Sequence, residues 1–308
     1  MKKHIIFLSL LSFIAVMLQS CGQNSIVTQQ AKHIGINELN YPRIDGSTSS
    51  LPIVQEIYKA MYKPEIIDGE KVWSGLPQSA AKTIESYQML IDEEIDLIIV
   101  PDPSEEVMKI AVDKRVELEY IPVCLEALVF IVNQRTGIDN IATEELKSIY
   151  TDMQINNWSQ LGGQNENIFA LSRNEDSGSH ALMEKFVLKG GKMNENIDNM
   201  IMRMFEMVDN VENFTNKFTG LPLGYTIYYF FQNNKEEQNW NNVKLLSIDG
   251  VEPNSVTIAS GEYPYSTNYY AVIKNDTPKN SPSRKLISWL LSDEGQHIFT
   301  DAGFGNIE

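Results

Sequence analysis

The sequence predicts an α/β fold of two lobes with mixed, mainly parallel sheets. Short apolar runs alternate with amphipathic stretches of helical spacing, which is the pattern of strands connected by helices. The alternation breaks at two places, where extended segments follow one another without a helix between them. At 308 residues the chain is long enough for two such lobes. We therefore expect it to cross between the lobes twice.

The individual elements follow from the period of the apolar residues. Strands are expected over Tyr41–Ile44, Lys71–Trp73, Ile95–Val100, Glu117–Cys124, Ala127–Val132 and Ile168–Leu171, and helices over Ile53–Met61, Ser79–Leu90, Ser104–Asp113, Ser283–Leu291 and Glu294–Asp301. The first crossing is placed at Glu126, between two successive strands, and the second at Tyr263–Ile273. Lobe one is expected over residues 38–125 plus 263–308, and lobe two over residues 126–262.

The N-terminus has the features of a secretory signal of the lipoprotein type. Two lysines precede an apolar run, Ile5–Leu18, and a small residue, Ser20, stands before Cys21. We expect a signal peptide over residues 1–20, cleavage before Cys21 and attachment of lipid to that cysteine. Residues 21–37 would form a tether. The protein is expected outside the cytoplasm, anchored by lipid to a membrane in the periplasm or at the cell surface.

The composition is acidic, with 25 Lys and Arg against 41 Asp and Glu and a formal net charge of −16. Removal of residues 1–20 takes away two lysines and leaves 23 against 41, or −18. This charge argues against nucleic acid and anionic lipid surfaces as partners. Cys124 would be the remaining thiol, in an apolar run where burial is expected. No Cys/His set has metal-ligand spacing, so neither a metal nor a cofactor is expected.

The most informative segment is Leu171–His180. An apolar strand ends at Arg173, and a polar turn then presents Ser177, Gly178 and Ser179 where an amphipathic helix begins. The first N–H groups of a helix lack partners within it, and that end carries partial positive charge. Hydroxyls, glycine and a guanidinium there are typical of a site for an anion. The alternative is that Ser177 or Ser179 only caps the helix.

A second helix start has the same character. Asp45-Gly46-Ser47-Thr48-Ser49-Ser50 follows a short strand and leads into Ile53–Met61, whose apolar residues keep helical spacing. In open α/β sheets, ligands bind beyond the carboxyl ends of strands, where helix N-termini point. The two serine-rich segments fall in different lobes. The cleft between the lobes is therefore the predicted site, and two helix N-termini would surround a tetrahedral anion there.

At these residues the chain resembles the periplasmic phosphate-binding protein family, the type II solute-binding proteins that serve ABC phosphate importers. Four features carry the resemblance. Gly46-Ser47-Thr48-Ser49 is similar to the family's Gly-Ser/Ala-Thr loop, and residues 173–179 are similar to its Arg-x-x-x-Ser-Gly-Thr signature. Residues 149–163 resemble its Gly-Lys-Ile-x-Asn-Trp turn, and Leu223-Gly224-Tyr225 with Tyr263-Pro264 resemble its Ile-Gly-Tyr strand and returning hinge. The resemblance implies the two-lobe periplasmic-binding-protein type II fold.

The resemblance also implies roles for individual residues. The implied ligand-binding residues are Thr48, Ser49, Ser79, Asp102, Arg173, Ser177, Gly178 and Ser179. Ser79 matches the family's Ser-Gly-Gly loop loosely, because alanines replace the glycines. Asp102 is the candidate for an aspartate that accepts the proton of hydrogen phosphate, a proton that sulfate lacks. Alternatively, Asp102 only starts a turn before Pro103. Glu175 and Asp176 add negative charge beside the predicted site.

We therefore expect a lipid-anchored solute-binding protein, monomeric and without catalytic activity, that captures an oxyanion for ABC-type uptake. Inorganic phosphate is the first candidate, and an ABC permease would be its partner. Another small anion or polar solute is one alternative, and a surface protein that has lost ligand capture is a second. A serine hydrolase is a third. It is disfavoured because no Gly-x-Ser-x-Gly motif surrounds Ser177 or Ser179, and because His180 is adjacent to Ser179 in the sequence.

Overall fold

The computed structural model describes residues 26–175, 177–197, 199–214 and 220–307. The predicted signal peptide and the predicted lipidation residue, Cys21, lie outside these ranges. Within them, no helix combines the length and the apolar character that crossing a membrane requires.

Strands and helices alternate along most of the described chain. The strands are β1 Ile44–Gly46, β2 Glu65–Ile67, β3 Glu70–Val72, β4 Leu97–Val100, β5 Leu118–Asn133, β6 Asn140–Ile141, β7 Ile168–Ala170, β8 Ser172–Arg173, β9 Met200–Ile201, β10 Leu221–Ile227, β11 Val243–Leu245, β12 Ser247–Ile248 and β13 Ser266–Lys274. The helices are α1 Gln29–His33, α2 Leu51–Met61, α3 Thr83–Ile91, α4 Glu105–Lys114, α5 Thr143–Tyr150, α6 Gly178–Met183, α7 Met204–Glu212, α8 Tyr228–Asn234, α9 Ser255–Ala259, α10 Pro282–Leu290 and α11 Asp293–Asp301. A π-helical segment, Glu184–Leu188, continues α6.

One mixed sheet organises the molecule, in the order β1-β4-β13-β5-β10-β7, with β11 also paired to β5. The outer pairs, β1 with β4 and β7 with β10, are parallel, as expected for strands joined through helices. The strands in the middle pair antiparallel. The expectation of mixed sheets and of the α/β class is confirmed. Within this sheet parallel pairing is confined to the outer pairs, because β13 runs opposite to both β4 and β5, and β5 runs opposite to β10.

The long strand β5 makes the first crossing. Residues 118–127 pair with β13, and residues 128–132 pair with β10. The sequence predicted two strands interrupted at Glu126, but the structure has one continuous strand. The polar residue does not end the strand, because its side chain is fully buried and its carboxyl oxygen Oε1 accepts from the backbone N–H groups of Ala127 and Tyr229. A buried polar group needs such partners.

The second crossing precedes β13. The backbone N–H of Leu128 donates to the carbonyl of Tyr265, and the hydroxyl of Tyr263 donates to the carbonyl of Leu128. These bonds attach the incoming chain to β5 close to the point where β5 changes partners. Two adjacent strands therefore link the two halves of the sheet. We call β1, β4, β13 and residues 118–127 the first sheet half, and β7, β10, β11 and residues 128–133 the second.

Apolar strands buried on both faces form the core. The four residues of β4 and the apolar run 127–132 of β5 are inaccessible to solvent, as expected for strands covered by helices. Cys124 is buried in the same core, as the sequence predicted.

The predicted tether over residues 21–37 is wrong from Ile26 onward. Val27 forms a β-bridge with Tyr62, the hydroxyl of Thr28 caps α1, and Ala31 is fully buried. The segment is polar overall, but its few apolar residues pack against the core, where burial stabilises them.

Candidate functional site

A small cavity lies between the two halves of the sheet, with a volume of about 50 Å³. Its walls come from three helix starts and the segment around β9. Most of the side chains that line it are hydroxyl-bearing or cationic: the lining residues are Ser47, Thr48, Ser49, Lys82, Thr83, Arg173, Asn174, Ser177, Gly178, Ser179, Met202, Met204 and Ile227. Six of the eight predicted ligand-binding residues therefore meet here, and Ser79 and Asp102 do not.

The first wall is the serine-rich turn between β1 and α2. Ser47 and Ser49 share a hydroxyl–hydroxyl contact of 2.8 Å, and Ser49 Oγ lies 2.5 Å from the hydroxyl of Tyr269. Ser50 Oγ contacts the carbonyl of Ile99 in the neighbouring strand. A Cβ on Gly46 would lie 2.6 Å from that same carbonyl, so glycine is needed for this close packing. The turn is thereby held in one conformation at the cavity.

The second wall is the start of α6. Ser177 caps the helix, because its Oγ accepts from the backbone N–H of His180 at 3.2 Å. Gly178 and Ser179 are buried and also line the cavity. The same turn can therefore cap the helix and line the cavity. Ser177 satisfies one N–H group of the first turn, and the others have no partner inside the helix.

Arg173 is the buried cation of the site, with 7% of its surface exposed. Its Nε donates to the carbonyl of Ile201 at 3.0 Å and its Nη2 to the carbonyl of Met202 at 3.2 Å. Its Nη1 lies 3.4 Å from Ser179 Oγ. The pairing of β8 with β9 brings these carbonyls to the arginine. The guanidinium is therefore fixed in position beside the cavity, as bidentate recognition of an anion requires.

The third wall, the start of α3, was missed by the sequence interpretation. The predicted helix began at Ser79, but α3 begins at Thr83 with Lys82 as its N-cap residue. Ser79 therefore lies before the helix and does not line the cavity, whereas Lys82 and Thr83 do. Among the described residues, Thr83 Oγ1 has no hydrogen-bond partner, although it is buried. The signal available in the sequence was Thr83 itself, the first residue of the amphipathic run.

Asp102 is a second correction. Its carboxylate accepts from Lys185 Nζ at 2.7 Å and from Thr267 Oγ1 at 2.8 Å, and it does not line the cavity. The sequence places it two residues beyond the strand end at Val100, and it matches the family's aspartate only if the chain carries one extra residue there. In the structure the preceding residue, Pro101, lies against Gly178 at the wall, whereas Asp102 faces Lys185. The predicted role as acceptor of a ligand proton is therefore not supported.

The charge around the cavity is positive among the described side chains that line it. Burial lowers the pKa of His180, so this ring is neutral at neutral pH and Arg173 and Lys82 are the cations. Glu175 lines a neighbouring cleft of about 440 Å³ together with His180 and Glu184, and Arg173 borders both spaces. Asp176 lies outside the described residues. Of the two acidic residues, the described one, Glu175, therefore does not line the cavity.

The hydroxyls of the cavity have contacts that suit binding rather than nucleophilic attack. Ser179 Oγ lies next to the guanidinium of Arg173, which cannot act as a base, and Ser177 Oγ accepts from a backbone N–H. His180 Nδ1 lies 3.5 Å from the hydroxyl of Tyr225, not from a serine. Among the described residues, no group of three or more His, Cys, Asp or Glu side chains has the arrangement of a metal site.

The comparisons with known proteins agree with this geometry. The chain is 29% identical over 177 residues to the phosphate-binding protein PstS of Bacillus subtilis, a match that covers 56% of this chain and 52% of that protein. It is 28% identical over 189 residues to the phosphate-binding protein PstS of Borreliella burgdorferi, covering 59% of this chain and 64% of that one. These matches span between half and two thirds of the relatives' length.

A solved structure shares the fold. The crystal structure of an ABC-type phosphate transport receptor from Vibrio cholerae superposes with a TM-score of 0.60 at 19% identity, and the match covers 85% of this chain and 98% of that one. The family model of the PBP superfamily domain matches residues 37–294. The chain therefore belongs to the PBP superfamily and has its two-lobe, type II periplasmic-binding-protein fold.

Proposed function

We propose that this protein captures inorganic phosphate in the cavity between its lobes and delivers it to an ABC-type importer. The observation that carries the proposal is the cavity itself, where a fixed guanidinium, hydroxyl groups and helix starts meet in a space for one small ion. A phosphate dianion there would exchange its hydration shell for oriented N–H and O–H donors. Among the relatives, two that bear the name phosphate-binding protein PstS support this ligand.

The residues that we assign to phosphate are those of the cavity wall. Thr48 and Ser49 would contribute from the first turn, Arg173 the charge, and Ser177, Gly178 and Ser179 the α6 turn. Thr83 replaces Ser79 in this assignment, since its buried hydroxyl has no partner among the described residues. The site's role is binding, and we expect no catalysis.

The lobe boundary in this proposal lies two residues before the change of partners along β5. Lobe one comprises residues 38–125 plus 263–308, and lobe two comprises residues 126–262. Thr48 and Thr83 then lie in lobe one, and Arg173 and Gly178 in lobe two. Closure of two lobes over a ligand is a common binding motion in such folds. Phosphate would be held by donors from both lobes, so binding and closure would be coupled.

We further propose an extracytoplasmic protein, monomeric and lipid-anchored through Cys21. The support is the sequence pattern of two lysines, an apolar run and Ser20 before Cys21. Expression with radiolabelled palmitate is expected to label the native chain and leave Cys21→Ala unlabelled. Equal labelling of both would contradict the anchor and leave the phosphate site untouched.

Isothermal titration calorimetry tests the ligand. We expect saturable binding of inorganic phosphate with one site per chain, and loss of that binding in Arg173→Ala. Sulfate, molybdate and small metabolites are titrated in parallel. If one of these solutes binds and phosphate does not, the assignment of the ligand would change and the assignment of the site would stand. Absence of binding for every solute would favour a surface protein without ligand capture.

A further inference from the structure

The carboxylate of Asp102 joins two segments that belong to different halves of the molecule. Asp102 follows β4 of the first sheet half, and Thr267, which donates to it, lies on β13 of the same half. Lys185 lies in the helical segment that continues α6, and that segment packs against α5 on the other side. The Asp102–Lys185 ion pair, at 2.7 Å, therefore spans the cleft.

The same two segments also meet at the cavity wall. A Cβ on Gly178 would lie 2.6 Å from Pro101 Cγ, so the start of α6 already touches the residue before Asp102. The contact of Pro101 with Gly178 is thus apolar and lies at the cavity. The contact of Asp102 with Lys185 is ionic and lies beyond the C-terminal end of α6. Separation of the lobes would break both, because each joins the segment after β4 to the helix that begins at Gly178.

Both partners of the ion pair are held in place by neighbouring side chains. Thr267 orients the carboxylate from the first half. Lys185 Nζ lies 5.0 Å from the centre of the Phe186 ring, and that ring stacks on Tyr265 at 5.4 Å. The side chains are 23% and 43% exposed. Preorganised partners lose less side-chain freedom when they meet. The pair can therefore stabilise the closed arrangement although it is partly solvated.

We propose that Asp102 and Lys185 form a latch that keeps the lobes closed over the bound anion and slows its release. Asp102 and Lys185 are then positioning residues that act through lobe closure and do not touch the ligand. The proposal rests on the proposed function only in its use of phosphate as the probe. It predicts an effect on the dissociation rate, because loss of the ion pair would let closed lobes reopen sooner.

The experiment is a double-mutant cycle on the purified full chain with inorganic phosphate in stopped flow. Asp102→Asn and Lys185→Met are each expected to raise the dissociation rate roughly threefold to fivefold, the range of a partly exposed ion pair. The association rate is expected to stay within about twofold, since affinity changes in related complexes lie mostly in dissociation. The double variant is expected to match the singles, because either change already removes the pair.

A matched control comes from the ion pair of Asp92 with Lys114, which joins the end of α3 to α4 within one side of the molecule. Asp92→Asn and Lys114→Met are expected to leave both rates unchanged. An unchanged dissociation rate in Lys185→Met, or additive effects in the double variant, would overturn the latch. So would a loss of affinity in Asp102→Asn far larger than in Lys185→Met, which would indicate direct contact with the ligand.

A readout without ligand separates this proposal from the proposed function. Small-angle scattering of the phosphate-free chain is expected to give a larger radius of gyration for Lys185→Met than for Lys114→Met, because the unlatched lobes open more. Equal radii would overturn the latch. Failure of the unchanged protein to bind phosphate would refute the proposed function, and the scattering comparison would still decide the latch.

Discussion

Thr83 and Gly178 meet across the cavity, where a methyl group on the glycine would lie 3.2 Å from Thr83 Oγ1. Thr83 is the first residue of α3 and Gly178 is the first residue of α6. Two helix N-termini from opposite sides of the cleft therefore converge at this point. Their partial positive charges would repel each other without an anion between them, which is a physical reason to couple closure to anion binding.

Gly178→Ala is expected to weaken phosphate binding at least tenfold, or roughly 1.4 kcal/mol. The added methyl would lie 2.6 Å from Pro101 Cγ, so the lobes could not close fully. Titration calorimetry measures the affinity. Thermal unfolding of the ligand-free variant serves as the control and is expected to be unchanged, because the ligand-free lobes can open and relieve this contact. Native affinity in the variant would contradict the closed geometry as the binding state.

Thr83→Val is expected to change stability and affinity in opposite directions. The buried hydroxyl has no partner among the described residues, so its loss is expected to stabilise the ligand-free protein by roughly 1 kcal/mol. Phosphate affinity is expected to fall by a similar amount, since a donor to the ion is lost. Thr226→Val is the matched control, because Thr226 Oγ1 is also buried without a described partner but does not line the cavity. Equal affinity losses in both variants would exclude Thr83 from the site.

Arg173→Lys tests whether charge alone is sufficient. Lysine retains the positive charge but cannot donate simultaneously to the carbonyls of Ile201 and Met202 and to an anion. We expect phosphate affinity to fall by roughly 3 kcal/mol, the value of one or two charged hydrogen bonds. Arg203→Lys, at an exposed arginine near the site, is the control. An affinity within about twofold of the native protein would show that the guanidinium is dispensable.

Glu126 is expected to make stability depend on pH. Burial raises the pKa of its carboxyl from 4.5 to about 8, so the folded chain holds this proton at neutral pH and the unfolded chain does not. Between these values the folded state binds more protons, and stability falls as pH rises, by at most about 1.4 kcal/mol per pH unit. Above about pH 8 the contribution levels off.

Urea unfolding of the native chain and of Glu126→Gln between pH 5 and pH 9 measures this effect. The glutamine has no proton to lose, so the free energy of unfolding of the variant is expected to fall less steeply with pH. Parallel curves for the two proteins would show that Glu126 has an ordinary pKa.

The helix starts at Ser50 and Ser177 were predictable because their signals are local. A polar turn precedes an amphipathic run in each case, and the hydroxyl of Ser177 caps its helix, whereas that of Ser50 makes no cap hydrogen bond. The start of α3 was misplaced by four residues because Ser79 resembles a cap in isolation. Thr83 lies at the cavity only because α3 packs between the sheet and α4, a contact that no local pattern reveals.

Glu126 and Asp102 were misread for a related reason. A glutamate between two apolar runs looks like a strand end, yet the backbone N–H groups of Ala127 and Tyr229 donate to one of its carboxyl oxygens inside one long strand. An aspartate after a strand looks like a ligand-binding residue, yet Lys185, 83 residues away in the sequence, donates to its carboxylate. The partner of a charged side chain depends on packing between distant segments.

The sequence by itself determined the α/β class, the two crossings and the serine-rich turns, since these depend on periodicity, capping and composition over short stretches of chain. Only the tertiary structure decided which of those turns face one another, which hydroxyl remains unpaired in the cavity and which aspartate bridges the cleft. The physical reason is range: backbone preferences act between neighbours, whereas burial and ion pairing join residues that only the folded chain brings together.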